Sequence, residues 1–439
     1  MIDERAGDPI ARPEPRARAA AIVFVIALLI FVATTGYAYT SMDVVAGDFG
    51  SWLLVHTGTQ NIDGRSLPSL DASPIRYVWV QELQDGTEVI ARAAGVVVAG
   101  LPAYLLAGSG AFSIAPGAIT AAAISAMSVV MVFLTLAHHL KRREALLAAV
   151  VFGFTTPVWS VAANGLWPHT LTVFGICGMA WAATRDKWIV VGCFSVVCLW
   201  GRPQTAVLIL VLGLLIGLMR RDWRPVAQIG AVSTVGLASL SWWNHVTFDS
   251  FSPLAPYDPN AALVLVEGLG RLANQLGMWV APDRGILIWT PILLVLLPAV
   301  VTSWRGLPDW SRALAYAGVA YTLVHASLVE FTGGEGIYGY RYTLELLACL
   351  TPAFAMSAPA MGRVEGRLFA PVLGLQACVI AAGSIKDVLV VASDRAWRDH
   401  SFLAIVSDTP VTSIALLTAA VLAAWLGQRI WRDPGLTRS

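Results

Sequence analysis

Apolar stretches of membrane-spanning length alternate along this chain with short polar connections. They lie near 19–40, 117–138, 145–161, 169–184, 225–242, 286–303, 312–328, 343–360, 367–383 and 409–427. A helix needs about 20 residues to cross the ~30 Å apolar core of a bilayer. A longer run, 188–219, is interrupted by Gly201, Arg202 and Pro203. Arginine and proline are costly in mid-membrane, so this run reads as two short helices meeting at a non-cytoplasmic turn. The pattern predicts an all-α, polytopic transmembrane helix bundle of about twelve spans. The run 93–107 is too short to cross and reads as a re-entrant or membrane-surface helix. No separate soluble domain, low-complexity tract or internal repeat stands out.

The positions of the basic residues orient these spans. Membrane proteins concentrate Lys and Arg in cytoplasmic loops. Such clusters fall on Arg5, Arg12, Arg16 and Arg18, on Lys141, Arg142 and Arg143, on Arg185 and Lys187, and on Arg220, Arg221 and Arg224. They continue with Arg305 and Arg312, Arg363 and Arg367, and Arg429, Arg432 and Arg438. All of them lie on one side only if 93–107 does not cross. Residues 1–18 and 429–439 then read as cytoplasmic tails flanking a transmembrane domain over 19–428. The first run is longer than the ~7–15 apolar residues of a signal peptide and reads as a retained helix. The long loops 41–92, 243–285, 329–342 and 384–408 face the other side. The first of these holds seven carboxylates (Asp43, Asp48, Asp63, Asp71, Glu82, Asp85, Glu88) against three arginines.

Composition agrees with this picture. Of the 439 residues 57% are hydrophobic and only 13% charged, with a mean hydropathy of +0.68. A soluble domain carries nearer 25% charged residues. The net charge of +1 gives no basic balance that would point to nucleic acid. The five cysteines all lie in apolar runs with no CxxC pair, and read as small hydrophobes rather than disulfides or a metal site.

Polar residues at the outer ends of the helices are the candidates for chemistry. Asp43, with Asp48 behind it, is placed either to act as a general base for a hydroxyl or simply to end a helix. Thr155-Thr156-Pro157-Val158-Trp159 leads to Asn164, Trp167, Pro168 and His169. The tryptophans suit an interfacial belt, and His169 suits either packing or ligand contact. Trp242-Trp243-Asn244-His245 leads to Tyr257, and Pro282-Asp283-Arg284-Gly285 precedes the next span. Arg284 fits either a local ion pair with Asp283 or a phosphate, whose oxygens match a guanidinium fork. The most distinctive stretch is Thr332-Gly333-Gly334-Glu335-Gly336-Ile337-Tyr338-Gly339-Tyr340-Arg341-Tyr342. Its glycines permit tight turns, and its tyrosines and arginine suit a sugar and an anion. It lacks the Gly-Lys-Ser/Thr of a phosphate loop.

Taken together, these stretches resemble the GT-C-type membrane glycosyltransferases, over about residues 19–360. That superfamily includes bacterial lipid A aminoarabinose transferases, protein mannosyltransferases and actinobacterial arabinofuranosyltransferases. The matching pieces are Ser41-Met42-Asp43 with Gly95, Pro102 and Tyr104; Thr155 to Trp159 with Trp167 and His169; Asn244 to Tyr257 with Pro282 to Gly285 and Thr290-Pro291; and Gly333-Gly334 to Tyr342 with Glu345. The chain departs from the pattern at Ala93-Ala94, where relatives have Pro-Pro, at Tyr340, where they have proline, and at Trp243, where they have tyrosine.

The resemblance implies transfer of a sugar from a polyprenyl-phosphate carrier to a hydroxyl of a glycan, lipid or protein, with inversion by an acidic base. It implies Asp43, then Asp48, as base, and Arg341, Arg284 and Arg202 on the donor phosphate. His169, Tyr338, Tyr340, Asn244, Tyr257 and Glu335 would line the sugar and acceptor pocket. Arabinofuranose and mannose are the sugars it suggests. Some relatives use a divalent metal, although no cluster in the sequence demands one. The expected place is the bacterial inner membrane, in contact with its lipids, with the site facing the periplasm or exterior. Two alternatives share the polytopic shape: a transporter or flippase of lipid-linked saccharides, in which Arg202 would line the path, and an inactive GT-C-like assembly partner.

Overall fold

The computed structural model describes residues 14–36, 41–62, 64, 65, 67–73, 76–108, 110–257, 269–386 and 391–432. Arg5, Arg12, Asp63 and Arg438 lie outside the described residues, as do most of the two tails. Helix dominates the rest. The strand among the described residues is one small antiparallel hairpin, with Val80 opposite Ile90 and Glu82 opposite Glu88.

Among the described residues, four helices are by length and composition suited to crossing a membrane: Ala17–Thr34, Ala115–Leu136, Pro203–Arg220 and Arg363–Ile385. Further apolar helices, such as Ala94–Ala107, Trp188–Gly201 and Leu344–Ala360, are shorter. Their outward faces carry Leu29, Leu106, Leu210, Val235 and Val301, all exposed. A surface this apolar is unstable in water and stable in lipid, so these helices point to a membrane protein. Inside the bundle, small and polar residues take over. Ser195 and Ser233 hydrogen-bond across two helices at 2.6 Å. A Cβ on Gly95 would fall 2.7 Å from the Trp200 carbonyl, so only glycine lets those two backbones meet.

Sequence neighbours pack in antiparallel fashion where their connections are short. Pro168–Ala183 packs antiparallel on Trp188–Gly201, whereas Trp188–Gly201 runs parallel to Arg224–Phe248, with Gly192 against Val232 and Gly236 against Val196. More distant pairs close the bundle: Glu14–Thr34 on Ala115–Leu136, Ala206–Arg220 on Asp309–His325, and Asp309–His325 on Leu344–Ser357. The helix Met42–Thr57, in the first long loop, packs on Ala94–Ala107.

Three apolar runs are broken where proline removes a backbone donor. The run 188–219 breaks at Arg202-Pro203, as its sequence requires. The run 145–161 ends its helix at Phe154 and resumes as a π-turn over Val158–Ala162. The run 286–303 divides into Ile286–Trp289 and Ile292–Ser303 at Thr290-Pro291. One side chain joins the last two breaks. Gln376 donates to the Thr155 carbonyl at 2.7 Å and accepts from Ile292 N–H at 3.1 Å. Backbone groups freed within an apolar bundle need such partners.

Candidate active site

Five consecutive residues, Arg341 to Glu345, organise the polar centre. They follow a loop in which Gly333, Gly334, Gly336 and Gly339 all have positive φ. Side chains larger than hydrogen are strained in that region, so the glycine repeat sets the path of the loop. The loop ends as the helix Leu344–Ser357 begins, with Glu345 in its first turn.

Arg341 reaches Asp43. Its guanidinium pairs with Asp43 Oδ2, while Arg92 approaches Oδ1 at 2.9 Å and Trp79 Nε1 donates to Oδ1 at 2.8 Å. Asp43 is presented at the start of the helix Met42–Thr57, with Ser41 as N-cap. Arg92 and Trp79 come from either side of the hairpin, which Ala91 N–H closes onto the Trp79 carbonyl at 2.9 Å. Arg341 also lies over the Trp167 ring at 5.1 Å and the Tyr342 ring at 5.0 Å. Burial alone would raise the Asp43 carboxyl, but Arg92 and Arg341 outweigh it and hold it well below the usual carboxylate range. The Asp43 side chain keeps 19% of its exposure, which leaves it a way out to solvent.

Glu345 anchors a second cluster. Its Oε1 accepts from His169 Nδ1 at 2.9 Å and from Thr172 Oγ1 at 2.7 Å. His169 and Thr172 sit one turn apart at the start of the helix Pro168–Ala183, on the same face. Arg202, thrown inward by its extended backbone at the helix break, lies 3.5 Å from the same oxygen. Its guanidinium lies 3.0 Å from His325 Nε2 and 3.2 Å from both ring nitrogens of His169. The Tyr342 ring stands between the clusters, with the Arg202 guanidinium 5.4 Å from its centre and His325 edge-on at 4.9 Å.

Tyr257 is close enough to Arg202, Arg92 and Asp43 to feel their charges. Arg284 is almost fully buried beside the centre. It pairs with Asp283 and donates through Nε to the Thr332 carbonyl at 2.9 Å. Asp283 in turn accepts from Ser401 N–H at 2.6 Å. Glu335 is exposed, but its charge reaches Arg284. Arg92, Arg202 and Arg284 are buried with Asp283 and Glu345, and Arg341 and Asp43 lie at the partly exposed mouth of the same group.

The structure does not bring the remaining candidates into this centre. Tyr338 donates to the Val379 carbonyl at 2.7 Å and packs its ring on Trp289. The Tyr340 hydroxyl pairs with Thr290 at 2.7 Å. Both tyrosines are buried. Asn244 holds the Ser252 carbonyl at 2.8 Å and so fastens the turn after its helix. Arg92, Glu345, Tyr342, His325 and Trp79 are site members that spacing alone did not single out as such. Glu345 and Tyr342 lie beside Arg341, which was the signal available. Arg92 and His325 are isolated in sequence and carried none.

Asp48 lies five residues from Asp43, on another face of the same helix. Both of its oxygens are buried without a hydrogen-bond partner, and they press against Gly117. Burial raises the Asp48 carboxyl well above the usual range. A raised acid contributes stability that is fully present below its unfolded value and is lost as pH rises through the folded one. Asp48→Asn keeps the shape without the titration. It is expected to melt no lower than the wild type, with an advantage that grows as pH rises above the ordinary carboxylate range in thermal unfolding. A variant that loses ground as pH rises would show that Asp48 is ionised in the fold.

An apolar groove of about 550 Å³ begins at Thr156 and Thr290 and runs along Leu293, Leu347, Phe354 and Leu373. Leu347 lies two residues from Glu345. Among the described residues no group of three or more His, Cys, Asp or Glu is suited to hold a metal ion. No protein-family model matches this chain, and no curated protein matches it either.

Proposed function

We propose that this protein is a membrane glycosyltransferase that moves a sugar from a polyprenyl-phosphate carrier to an acceptor hydroxyl. The observation that carries the reading is the Asp43–Arg341–Arg92 group, a carboxylate held between two guanidiniums. The likeness of the sequence to GT-C enzymes supports it independently. So does the apolar groove along Leu293, Leu347 and Phe354, which suits a prenyl chain.

In the proposed reaction the acceptor oxygen attacks the anomeric carbon from the face opposite the phosphate. The C–O bond to phosphate breaks as the new glycosidic bond forms, which inverts the carbon. The acceptor proton passes to Asp43. The leaving polyprenyl phosphate gains a negative charge, which Arg341 and Arg92 stabilise as it develops. With no donor bound, those two arginines occupy the Asp43 oxygens, and a carboxylate so held is a weak base. An incoming phosphate competes for the same guanidiniums. It thereby frees Asp43 and restores its basicity, so the donor binds before the base acts. Arg202, Glu345 and His169 hold Tyr342 against Arg341 and set the depth of the site.

The proposal places the chain in a bacterial inner membrane with twelve spans, both termini cytoplasmic and the site on the outer side. Asp48 lies against Gly117 at the start of the helix Ala115–Leu136, whereas Lys141 to Arg143 follow the other end of that helix, which supports that orientation.

The test is transfer from radiolabelled polyprenyl-phosphate arabinofuranose or mannose to a membrane glycan extract, by purified protein in nanodiscs. Asp43→Asn is expected to lower transfer by on the order of 100-fold or more, the usual effect of losing a general base. Equal transfer by both proteins would remove Asp43 from the mechanism. If neither donor is bound or consumed, the transferase reading fails and a flippase assay takes its place.

A further inference from the structure

The helix Leu269–Val280 contributes no side chain to the arginine centre, yet its two faces differ sharply. Asn274, Gly277 and Met278 are buried, whereas Leu272, Leu276 and Val280 are 58%, 48% and 42% exposed. Spacings of four residues put these three on one stripe. Arg271 is exposed at the edge of that stripe.

The buried face is fastened to the segment before the glycine loop. Asn274 Nδ2 donates to the carbonyls of Ala326 and Val329, the latter at 2.6 Å, and Asn274 Oδ1 accepts from Phe331 N–H. Gln275 donates to the Leu323 carbonyl at 2.8 Å. The Phe331 ring fills the space over Gly277, where a Cβ would lie 2.4 Å away. The next residue, Thr332, supplies the carbonyl held by Arg284, and the loop from there delivers Arg341.

The exposed stripe does not end at the helix. Trp279 lines an apolar groove of about 550 Å³ together with Leu287, Leu294, Leu297 and Val301. The last three are exposed on the outer face of the apolar helix Ile292–Ser303. One apolar surface therefore runs from that helix onto Leu272 and Leu276. A partner that covers both must be fluid enough to follow a bundle wall and a helix lying beside it, and lipid has that property.

We infer that Leu269–Val280 is a membrane-surface helix that beds its leucine stripe in the lipid of the outer leaflet. Through Asn274 it holds the Arg284–Arg341 loop at headgroup depth, where a lipid-linked phosphate arrives. The depth rests on the outward orientation proposed above. The lipid contact itself does not require transferase activity.

Single cysteines at Leu272, Leu276 and the exposed hairpin residue Gln84 test this, in a Cys193→Ser background that removes the exposed native thiol. Each is labelled with an environment-sensitive fluorophore in nanodiscs, then challenged with shallow nitroxide-labelled lipid or with aqueous iodide. Labels at Leu272 and Leu276 are expected to lose most of their fluorescence to the lipid quencher and little to iodide, with the reverse at Gln84. Iodide quenching at Leu272 and Leu276 overturns the inference. So does protection from both quenchers, which means that protein, such as a second copy, covers the stripe. Because no readout uses sugar transfer, a failure here is distinct from a failure of the transferase reading.

Discussion

Glu345→Ala is expected to destabilise the protein by about 3–5 kcal/mol, the usual cost of breaking a buried ion pair from one side. The Glu345 side chain is fully buried and Arg202 nearly so. Without the carboxylate, the Arg202 guanidinium stays in the bundle uncompensated. His169 and Thr172 lose their shared acceptor in the same step. Thermal unfolding in detergent reads the effect directly. The double variant Glu345→Leu with Arg202→Met removes both charges together. It is expected to recover much of the loss, since replacing a buried pair with apolar groups is often neutral. Transfer should stay low in the double variant, because Tyr342 loses its support. A Glu345→Ala protein that melts with the wild type would mean that Arg202 has another counter-ion.

Arg341→Ala is expected to lower transfer by about 10³-fold, within the range seen when one donor to a developing negative charge is removed. Arg341→Lys should recover little. Lysine keeps the charge but lacks the planar fork that addresses Asp43 and a phosphate together, and it stacks less well on Trp167 and Tyr342. The pH profile distinguishes this role from a packing role. Arg341 is one of the two groups that outweigh burial and hold the Asp43 carboxyl low. In Arg341→Ala that carboxyl rises, so the acid limb of kcat/KM against pH shifts to higher pH. A packing defect would lower activity without moving the limb.

These two variants also mark how far the chain could be read in one dimension. The apolar runs are long and the polar gaps short, so a helical membrane protein is legible from period and length alone. The break at Arg202-Pro203 is equally legible, because proline cannot donate to the helix ladder. Asp43, His169 and Arg341 stand out as polar groups at the ends of apolar runs. The other two breaks were not read, although Pro157 and Pro291 mark them, because threonine and proline interrupt an apolar run less visibly than a charged arginine does. Gln376, which satisfies both, gave no sign of that task.

The sequence by itself determined the class of protein, the break at Arg202-Pro203, and the supply of charged groups near the ends of the apolar runs. Local rules decide those features. Tertiary structure decided which of these groups meet. Asp43 and Arg341 are 298 residues apart, and Glu345 joins His169 across 176. No local rule joins residues so far apart; only the packing of one helix end against another does. The same packing turned Tyr338 and Tyr340 inward as structural groups and drew in Arg92 and His325, two residues with no polar neighbours to announce them. In a low-dielectric bundle a buried charge must find its partner inside the fold, and the helix packing selects that partner from whatever the chain supplies.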